Sequence, residues 1–216
     1  MNYNYIEIVT NGIQNRGEIV KLPEGKSNYD LDYYGKEVTD SFHSAFLHTE
    51  DYHIYRDLDG RKRGYNGNVF SECLFWDLDN TDLKLARNDT IELVERLCVF
   101  HKENINIYFS GNKGFHVIYI CPELNLLRDT VDFNDKLKNI CSYIAKGIES
   151  FDDKIYDKTR ILRTVNSKHP KTNLYKIKIS IDELYTLTRE QLFELASKQR
   201  KSELISFNET YDEEII

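Results

Sequence analysis

Two carboxylates interrupt an otherwise apolar stretch of the chain. Asp77 and Asp79 are separated by one residue and follow the apolar segment 74–76. In a β-strand such residues point to one side, so both carboxylates would emerge about 6–7 Å apart on one face of a sheet. Like charges at this spacing repel, and a bridging divalent cation removes that cost. The pattern predicts a metal-binding pair, and the alternative is a strand end with two solvated acids.

A glycine-punctuated turn lies between two apolar segments, 105–109 and 115–120. It runs Ser110-Gly111-Asn112-Lys113-Gly114 and leads to His116. Glycines let the backbone approach an anion closely, and hydroxyl, amide and ammonium groups donate to phosphate oxygens. The turn therefore predicts a triphosphate-binding site in which Lys113 and His116 add cationic donors. A plain turn with one surface lysine is the alternative.

A third acid opens a long basic segment. Asp152 and Asp153 are both candidates for this acid, and no acid occurs between residues 158 and 178. The basic residues of that stretch are Lys158, Arg160, Arg163, Lys168, Lys171, Lys176 and Lys178. Such an order predicts a carboxylate beside metal ions and basic donors beside phosphates and a nucleic-acid backbone. A solvated basic loop is the alternative.

In this order the three segments resemble the motifs of the archaeo-eukaryotic primase superfamily. That pattern is an apolar strand with D-x-D, then S-G-x-x-G-x-H, then an acid followed by a stretch of the R-x-x-R-x-x-x-S-x-H-x-K-T type. The matching residues are Asp77, Asp79, Ser110, Gly111, Gly114, His116, Arg160, Arg163, Ser167, His169, Lys171 and Thr172. The resemblance covers about residues 69–181.

The resemblance implies a template-dependent primase-polymerase core that joins nucleotides with two Mg²⁺ or Mn²⁺ ions. The implied metal ligands and catalytic residues are Asp77, Asp79 and Asp152, with Asp153 as the alternative third acid. The implied nucleotide-binding residues are Ser110, Gly111, Asn112, Lys113, Gly114, His116, Arg163 and His169. The implied template or phosphate contacts are Arg160, Lys168, Lys171 and Lys176. Substrates would be NTP or dNTP and a single-stranded or primed DNA template, with a helicase or helical accessory domain as a further partner.

Three features depart from that family's pattern. No cysteine or histidine spacing builds the zinc-binding insertion of many relatives, so no zinc is expected. The basic residue near an Arg-Ser pair is not evident, and His43-Ser44 is the nearest candidate. No helical priming domain or helicase follows the core in this sequence. Compact zinc-free cores of this kind resemble those of phage, mobile-element or defence-associated primase-polymerases.

The apolar periods predict an α/β or α+β domain with a mixed sheet. The resemblance implies an α+β fold, a mixed or antiparallel RRM-like sheet flanked by helices. We expect an N-terminal α/β module at 1–68, a catalytic module at 69–198 and a frayed or linker-like tail at 199–216. Strands are expected at 69–78, 105–109, 115–120 and 174–181. Helices are expected at 38–46, 90–100, 133–148 and 188–196.

Composition narrows the classes of protein. The 216-residue chain has 29 basic and 36 acidic residues and a net charge of −7, which disfavours nucleic acid unless the basic residues cluster. No apolar run approaches the roughly 20 residues needed to span a bilayer, and the N-terminus lacks a secretory pattern. We therefore expect a cytoplasmic protein with no membrane partner. Four scattered cysteines predict neither a disulfide framework nor a zinc ribbon.

Two other functions fit part of the pattern. The segment Asp77-Leu78-Asp79-Asn80-Thr81 also resembles the first motif of haloacid-dehalogenase-like, Mg-dependent phosphohydrolases, in which the first acid is the nucleophile. That family gives no reason for Gly114-Phe115-His116 or for the basic segment. A catalytically inactive primase-like domain that binds single strands is the other alternative, and the presence of all three acids argues against it.

Overall fold

The computed structural model describes residues 1–59 and 64–201, apart from the side chains of 57–59. The fold is α+β. The strands are β1 (Tyr5–Val9), β2 (Glu18–Lys21), β3 (Val38–Thr39), β4 (Phe42–Ser44), β5 (Leu47–His48), β6 (Val69–Phe70), β7 (Cys73–Asp79), β8 (Ile105–Phe109), β9 (Gly114–Ile120), β10 (Ile161–Arg163), β11 (Ser167–Lys168) and β12 (Ile177–Ile179). The helices are α1 (Glu50–Asp59), α2 (Leu83–Leu97), α3 (Phe133–Ile144), α4 (Ile181–Thr186) and α5 (Arg189–Ala196).

A four-stranded antiparallel sheet carries the acidic strand. Its order is β12-β8-β9-β7, so β7 lies at one edge. β8 and β9 form a hairpin closed by a hydrogen bond from the Ser110 amide to the Gly114 carbonyl at 3.0 Å. Both hairpin strands are buried along their whole length, which explains why their sequences are apolar except at Asn106 and His116.

A second sheet is built mainly from the N-terminal third of the chain. Its order is β10-β4-β1-β5-β6, with β2 paired to β1. β10 comes from residues far along the sequence and pairs with β4, so that Leu162 lies opposite His43. The N-terminal module expected at 1–68 is thus completed by a strand of the basic segment. A short parallel pair, β3 with β11, lies beside it.

The two faces of β7 make different contacts. Trp76 points toward the helices, and its indole N–H donates to the Cys141 carbonyl of α3 at 3.0 Å. Phe75 points the other way, toward the rings of Phe46 and Tyr29 at 5.5 and 6.4 Å between centroids. Asp77 and Asp79 share the Phe75 face because side chains alternate along a strand. The alternation therefore delivers both carboxylates to the space between the two sheets.

Several expected elements differ from the structure. The helix expected at 38–46 is wrong: this segment forms β3 and β4, because its pairing partners are the distant β11 and β10. The strand expected at 69–78 is divided into β6 and β7, and the one at 174–181 is shortened to β12. The helix expected at 133–148 ends at residue 144, before Gly147 with its positive φ of 83°.

The helix expected at 90–100 begins earlier, at Leu83. Its N-cap is Asp82, whose carboxylate accepts from the Lys84 amide at 2.9 Å. Thr90 lies inside the helix, where its hydroxyl bonds back to the Ala86 carbonyl at 2.6 Å. The helix expected at 188–196 is confirmed, with a capping box between Thr188 and Gln191. The expected tail lies outside the described residues from 202 onward. Among the described residues no helix is long and apolar enough to cross a membrane.

Candidate active site

The β7–β9 register places the acids directly against the glycine-rich turn. Asp77 lies opposite His116, and Asp79 lies opposite Gly114. A Cβ at residue 114 would come within 2.2 Å of both the Asp79 Oδ1 and the Leu78 carbonyl oxygen. Glycine at this position is therefore required by the close passage of the acidic strand, in addition to any contact with a phosphate.

The third acid lies on the open edge of β7. Leu78 forms an isolated antiparallel bridge with Phe151, and the Asp152 amide donates to the Asp77 carbonyl at 3.0 Å. Directly opposed residues share a face in an antiparallel pair, so Asp152 lies on the same side as Asp77. Asp153 points away and pairs with Lys138 of α3 at 2.9 Å. The geometry favours residue 152 over its neighbour.

A cleft between the two sheets brings part of the predicted set together, and Asp152, Gly111, Lys113, Gly114, Lys168, Lys171 and Lys176 are not in its lining. Its volume is about 170 Å³. The residues that line it are Phe42, Asp77, Asp79, Ser110, Asn112, His116, Arg160, Ile161, Leu162, Arg163 and His169. The turn around His169 is fixed to the hairpin, because the Thr172 hydroxyl donates to the Gly111 carbonyl at 2.5 Å. Gly111 has a φ of 84°, and a Cβ there would lie 2.9 Å from the Leu174 carbonyl oxygen.

The carboxylates near the cleft are each close to a basic side chain. Lys113 Nζ lies 3.2 Å from Asp79 Oδ2, and Arg160 Nη2 lies 3.7 Å from Asp152 Oδ2. Both pairs are partly exposed, so neither contributes much to stability. They identify Lys113 and Arg160 as the basic side chains that would have to release a carboxylate before it could bind a metal ion.

Asp77 is the most perturbed acid of the cleft. Burial, together with the nearby carboxylates of Asp79 and Asp152, raises its pKa to about 7, although Arg160 and Lys176 oppose this. Its Oδ1 atom is buried and has no hydrogen-bond partner within the described part of the chain. Burial of a carboxylate oxygen without a partner costs free energy. A cation or a hydrogen-bond donor bound at this atom would remove that cost.

The pKa values of the two cleft histidines, His116 and His169, are both lowered. Burial, and then the positive charges of Lys176 and Arg163, lower the pKa of His116 well below its usual value. This lowered pKa favours the neutral imidazole, whereas the sequence predicts a cationic donor at residue 116. Its Nε2 lies 3.6 Å from Asp77 Oδ1, beyond hydrogen-bonding distance. Burial also lowers the pKa of His169.

Lys176 does not occupy the place expected of a template contact. It is 1% exposed, and its ammonium donates to the Arg163 carbonyl at 2.7 Å and lies 4.9 Å from the Tyr108 ring centre. Burial is the first cause that lowers its pKa, to about 7. An enclosed ammonium cannot reach a nucleic-acid backbone, so its predicted role is corrected. Its charge acts inward, on Asp77.

The other cations of the basic segment are largely engaged within the protein. Lys158 donates to the carbonyls of Gly67 and Val131, and Lys168 Nζ lies 3.4 Å from Glu37. Lys171 is exposed. The segment thus contributes Arg160 and Arg163 to the cleft and Lys176 to the domain interior.

Two residues that contact Arg163 at the cleft, Asp40 and Phe42, were not predicted from the sequence. Asp40 pairs with Arg163 at 3.0 Å, and the Arg163 guanidinium lies over the Phe42 ring at 4.7 Å. These contacts hold the guanidinium at the cleft, where its Nη1 is buried without a partner among the described atoms. No local signal marked Asp40 or Phe42, because both reach the site through the pairing of β4 with β10.

The donor set of the cleft fits a hard divalent cation. Mg²⁺ and Mn²⁺ prefer carboxylate oxygens, and Asp77, Asp79 and Asp152 supply them on one face. Within residues 1–59 and 64–201 no three acidic, histidine or cysteine side chains already stand together as ligands. Asp79 and Asp152 lie instead beside the basic groups of Lys113 and Arg160. The unpartnered Asp77 Oδ1 is the atom that such a cation would satisfy.

The chain is distantly similar to solved structures. The structure aligns with "Cyanophage S-2L Primase-Polymerase (PrimPol), AEP domain" over 91% of this chain and 89% of that chain, with a TM-score of 0.44 and 12% identity. No protein-family model matches the sequence, and no curated protein matches it. A likeness this distant assigns no activity, so function has to be inferred from the cleft itself.

Proposed function

We propose that this protein is a metal-dependent, template-directed nucleotidyltransferase of the primase-polymerase type. The reaction would join the 3′ oxygen of a strand to the α-phosphorus of an incoming nucleotide, while the bond to the pyrophosphate leaving group breaks. One observation supports the proposal above all. The carboxylates of Asp77, Asp79 and Asp152, which come from two chain segments, lie on one face. They adjoin the turn with Ser110 and the strand with Arg163, two side chains that have unpaired hydrogen-bond donors for a phosphate.

Asp77, Asp79 and Asp152 would hold the divalent cations. Bound there, Mg²⁺ or Mn²⁺ would lower the pKa of the attacking hydroxyl and neutralise charge on the leaving pyrophosphate. The protein's own contribution at this end of the cleft is positional. The β7 backbone, paired on one side with β9 and on the other with residues 150–152, fixes the three carboxylates on a rigid element.

The opposite wall of the cleft would bind the triphosphate. Ser110 Oγ and Arg163 Nη1 are both buried without partners among the described residues, and both belong to the cleft lining. Preorganised donors of this kind stabilise developing negative charge without reorganisation. Lys113 and Arg160 would add positive charge beside the phosphates once a metal ion has bound Asp79 and Asp152, the carboxylates that they contact. The neutral His116 would act as a hydrogen-bonding group.

Primer extension tests the proposal. The protein is incubated with a labelled primer on a single-stranded template, with either ribonucleotides or deoxyribonucleotides and with Mg²⁺ or Mn²⁺, and the products are separated on a gel. We expect template-dependent elongation that Asp79→Asn abolishes and Asp129→Asn, a surface control, leaves intact. Release of phosphate from a generic ester without template would instead identify a phosphohydrolase. Template binding without incorporation would identify an inactive strand-binding domain.

A further inference from the structure

A second cavity lies on the helix side of the four-stranded sheet. Its volume is about 490 Å³, which falls in the range of ligand sites. Phe115, whose side chain points away from His116 across β9, forms part of its floor together with Leu83 and Leu192. The starts of α2 and α5 form its walls. We call it the reverse-face cavity.

Three basic side chains surround the reverse-face cavity. Lys84 and Arg189 are exposed, and Arg87 is held in place because its guanidinium donates to the Leu184 and Leu187 carbonyls. Asp82 is the sole acid of the lining, and its carboxylate is already used to cap α2. Within the described part of the chain none of the three cations has a carboxylate partner.

The catalytic cleft has the opposite arrangement. Around it and in the neighbouring basic segment, carboxylates lie 3.0–3.7 Å from the basic side chains of Lys113, Arg160, Arg163 and Lys168. In a protein of net charge −7, three basic groups around one cavity, none with a carboxylate partner among the described residues, form a local positive surface. Such a surface favours a polyanion, because binding it displaces no internal ion pair.

The position of the cavity indicates which polyanion. Asp79 is separated from Asp82 by only two residues, a span of at most about 10 Å. This is roughly the length of three nucleotides of a strand at about 3.4 Å each. A strand that left the cleft past the end of β7 would then pass close to Lys84. Its phosphates would face cations while its bases lie near the apolar floor.

We propose that the reverse-face cavity binds the phosphate backbone of the single-stranded template, through Lys84, Arg87 and Arg189. The inference rests on the proposed function. It places a template contact on the other side of the acidic strand from Arg160, Lys168, Lys171 and Lys176, the contacts that the resemblance implies.

Charge reversal at the two exposed positions tests this inference. The full chain with Lys84→Glu and Arg189→Glu is compared with wild type for binding to a labelled oligodeoxythymidine, by fluorescence anisotropy over a series of salt concentrations. We expect affinity to fall roughly tenfold or more, and the slope of log affinity against log salt to fall by about two. The double variant Lys84→Gln, Arg189→Gln should show the same slope change with a smaller loss of affinity.

Lys26→Glu with Lys146→Glu is the matched control, since both lysines are exposed and the change in net charge is the same. Wild-type affinity in the reverse-face variant, or an equal loss in variant and control, would overturn the inference. Displacement of the oligonucleotide by inorganic phosphate in wild type alone would also overturn it, by showing a site for a small anion.

Extension at saturating template, measured on the same proteins, separates the two proposals. If wild type incorporates nucleotides and the reverse-face variant binds template normally, only this inference fails. If wild type incorporates none but the variant loses affinity, the proposed reaction fails and the nucleic-acid surface stands.

Discussion

The two faces of the four-stranded sheet differ in how completely their groups are satisfied. On the helix face, Trp76, Leu78 and Phe115 are buried in apolar surroundings, and the indole N–H has a partner. On the cleft face, Asp77 Oδ1 and Ser110 Oγ are buried without partners among the described atoms. Both faces come from the same strands, alternating residue by residue.

The difference shows how one short strand serves both folding and chemistry. The helix face supplies burial of apolar area, which stabilises the domain. The cleft face lacks internal partners, so its groups remain available to ligands at some cost in stability. Substitutions on the two faces should therefore have opposite consequences: changes in the cleft should remove activity and spare the fold, and changes beneath the helices should do the reverse.

The largest effect is expected at the acids. Asp77→Ala should reduce nucleotide incorporation by at least about a thousandfold, or about 4 kcal/mol of barrier, because the cation site is lost. Thermal unfolding without metal should show equal or higher stability, since an unpartnered buried carboxylate has been removed. Primer extension and calorimetry check the two halves. A variant that unfolds as well as losing activity would contradict the division between the faces.

Trp76→Ala tests the other face. The substitution should lower the free energy of unfolding by about 3–5 kcal/mol, because it removes a fully buried ring and one of the two donors to the Cys141 carbonyl, leaving only the Ala145 amide. Urea titration followed by circular dichroism measures the loss. Trp76→Phe, which keeps most of the apolar volume, should lose clearly less. Equal losses in the two variants would mean that packing at this position does not stabilise the sheet.

The pH dependence of stability follows from the raised pKa of Asp77. Between about pH 4 and pH 7 the unfolded chain has lost this proton while the folded protein keeps it, so metal-free stability falls as pH rises through this window. Asp77→Asn should reduce the loss of unfolding free energy across this pH window by an amount of the order of 4 kcal/mol. Glu149→Gln, an exposed control, should not. Mn²⁺ should also reduce the fall in wild type, because a bound cation favours the ionised carboxylate. A steeper slope in Asp77→Asn would contradict the account.

The smallest effect is expected at Lys113. Lys113→Met removes the cation beside Asp79, so Mn²⁺ should bind about two- to fivefold more tightly in the absence of nucleotide. The same variant should bind a nucleoside triphosphate more weakly, because a phosphate donor is lost. Isothermal titration measures both affinities, with Lys154→Met as a surface control. Loss of both affinities together would indicate a merely structural role.

The sequence predicted those parts of the site that depend on local pattern. Local pattern predicts β7, the β8–β9 hairpin, and the position of Asp77 and Asp79 on the same face of the sheet. Alternation along a strand and a short turn depend only on neighbouring residues. The resemblance of the three segments to known motifs predicted that they share one site. The cleft is lined by residues of all three.

The remaining features depend on contacts that no local pattern encodes. The choice between Asp152 and Asp153 is made by pairing of residues 150–152 with the edge of β7. The burial of Lys176 depends on Arg163 and Tyr108, so counting charges along the basic segment overestimated its surface. The expected helix at 38–46 is wrong because distant strands pair with this segment.

Cation binding by the three acids tests the central claim most directly. Free Mn²⁺ is measured by electron paramagnetic resonance during titration of wild type, Asp79→Asn, Asp152→Asn and Asp153→Asn. We predict that Asp79→Asn and Asp152→Asn each weaken binding by tenfold or more, about 1.4 kcal/mol, while Asp153→Asn, whose side chain faces Lys138, binds as wild type. Equal binding by Asp152→Asn and wild type, or a loss confined to Asp153→Asn, would contradict a shared cation site in this cleft.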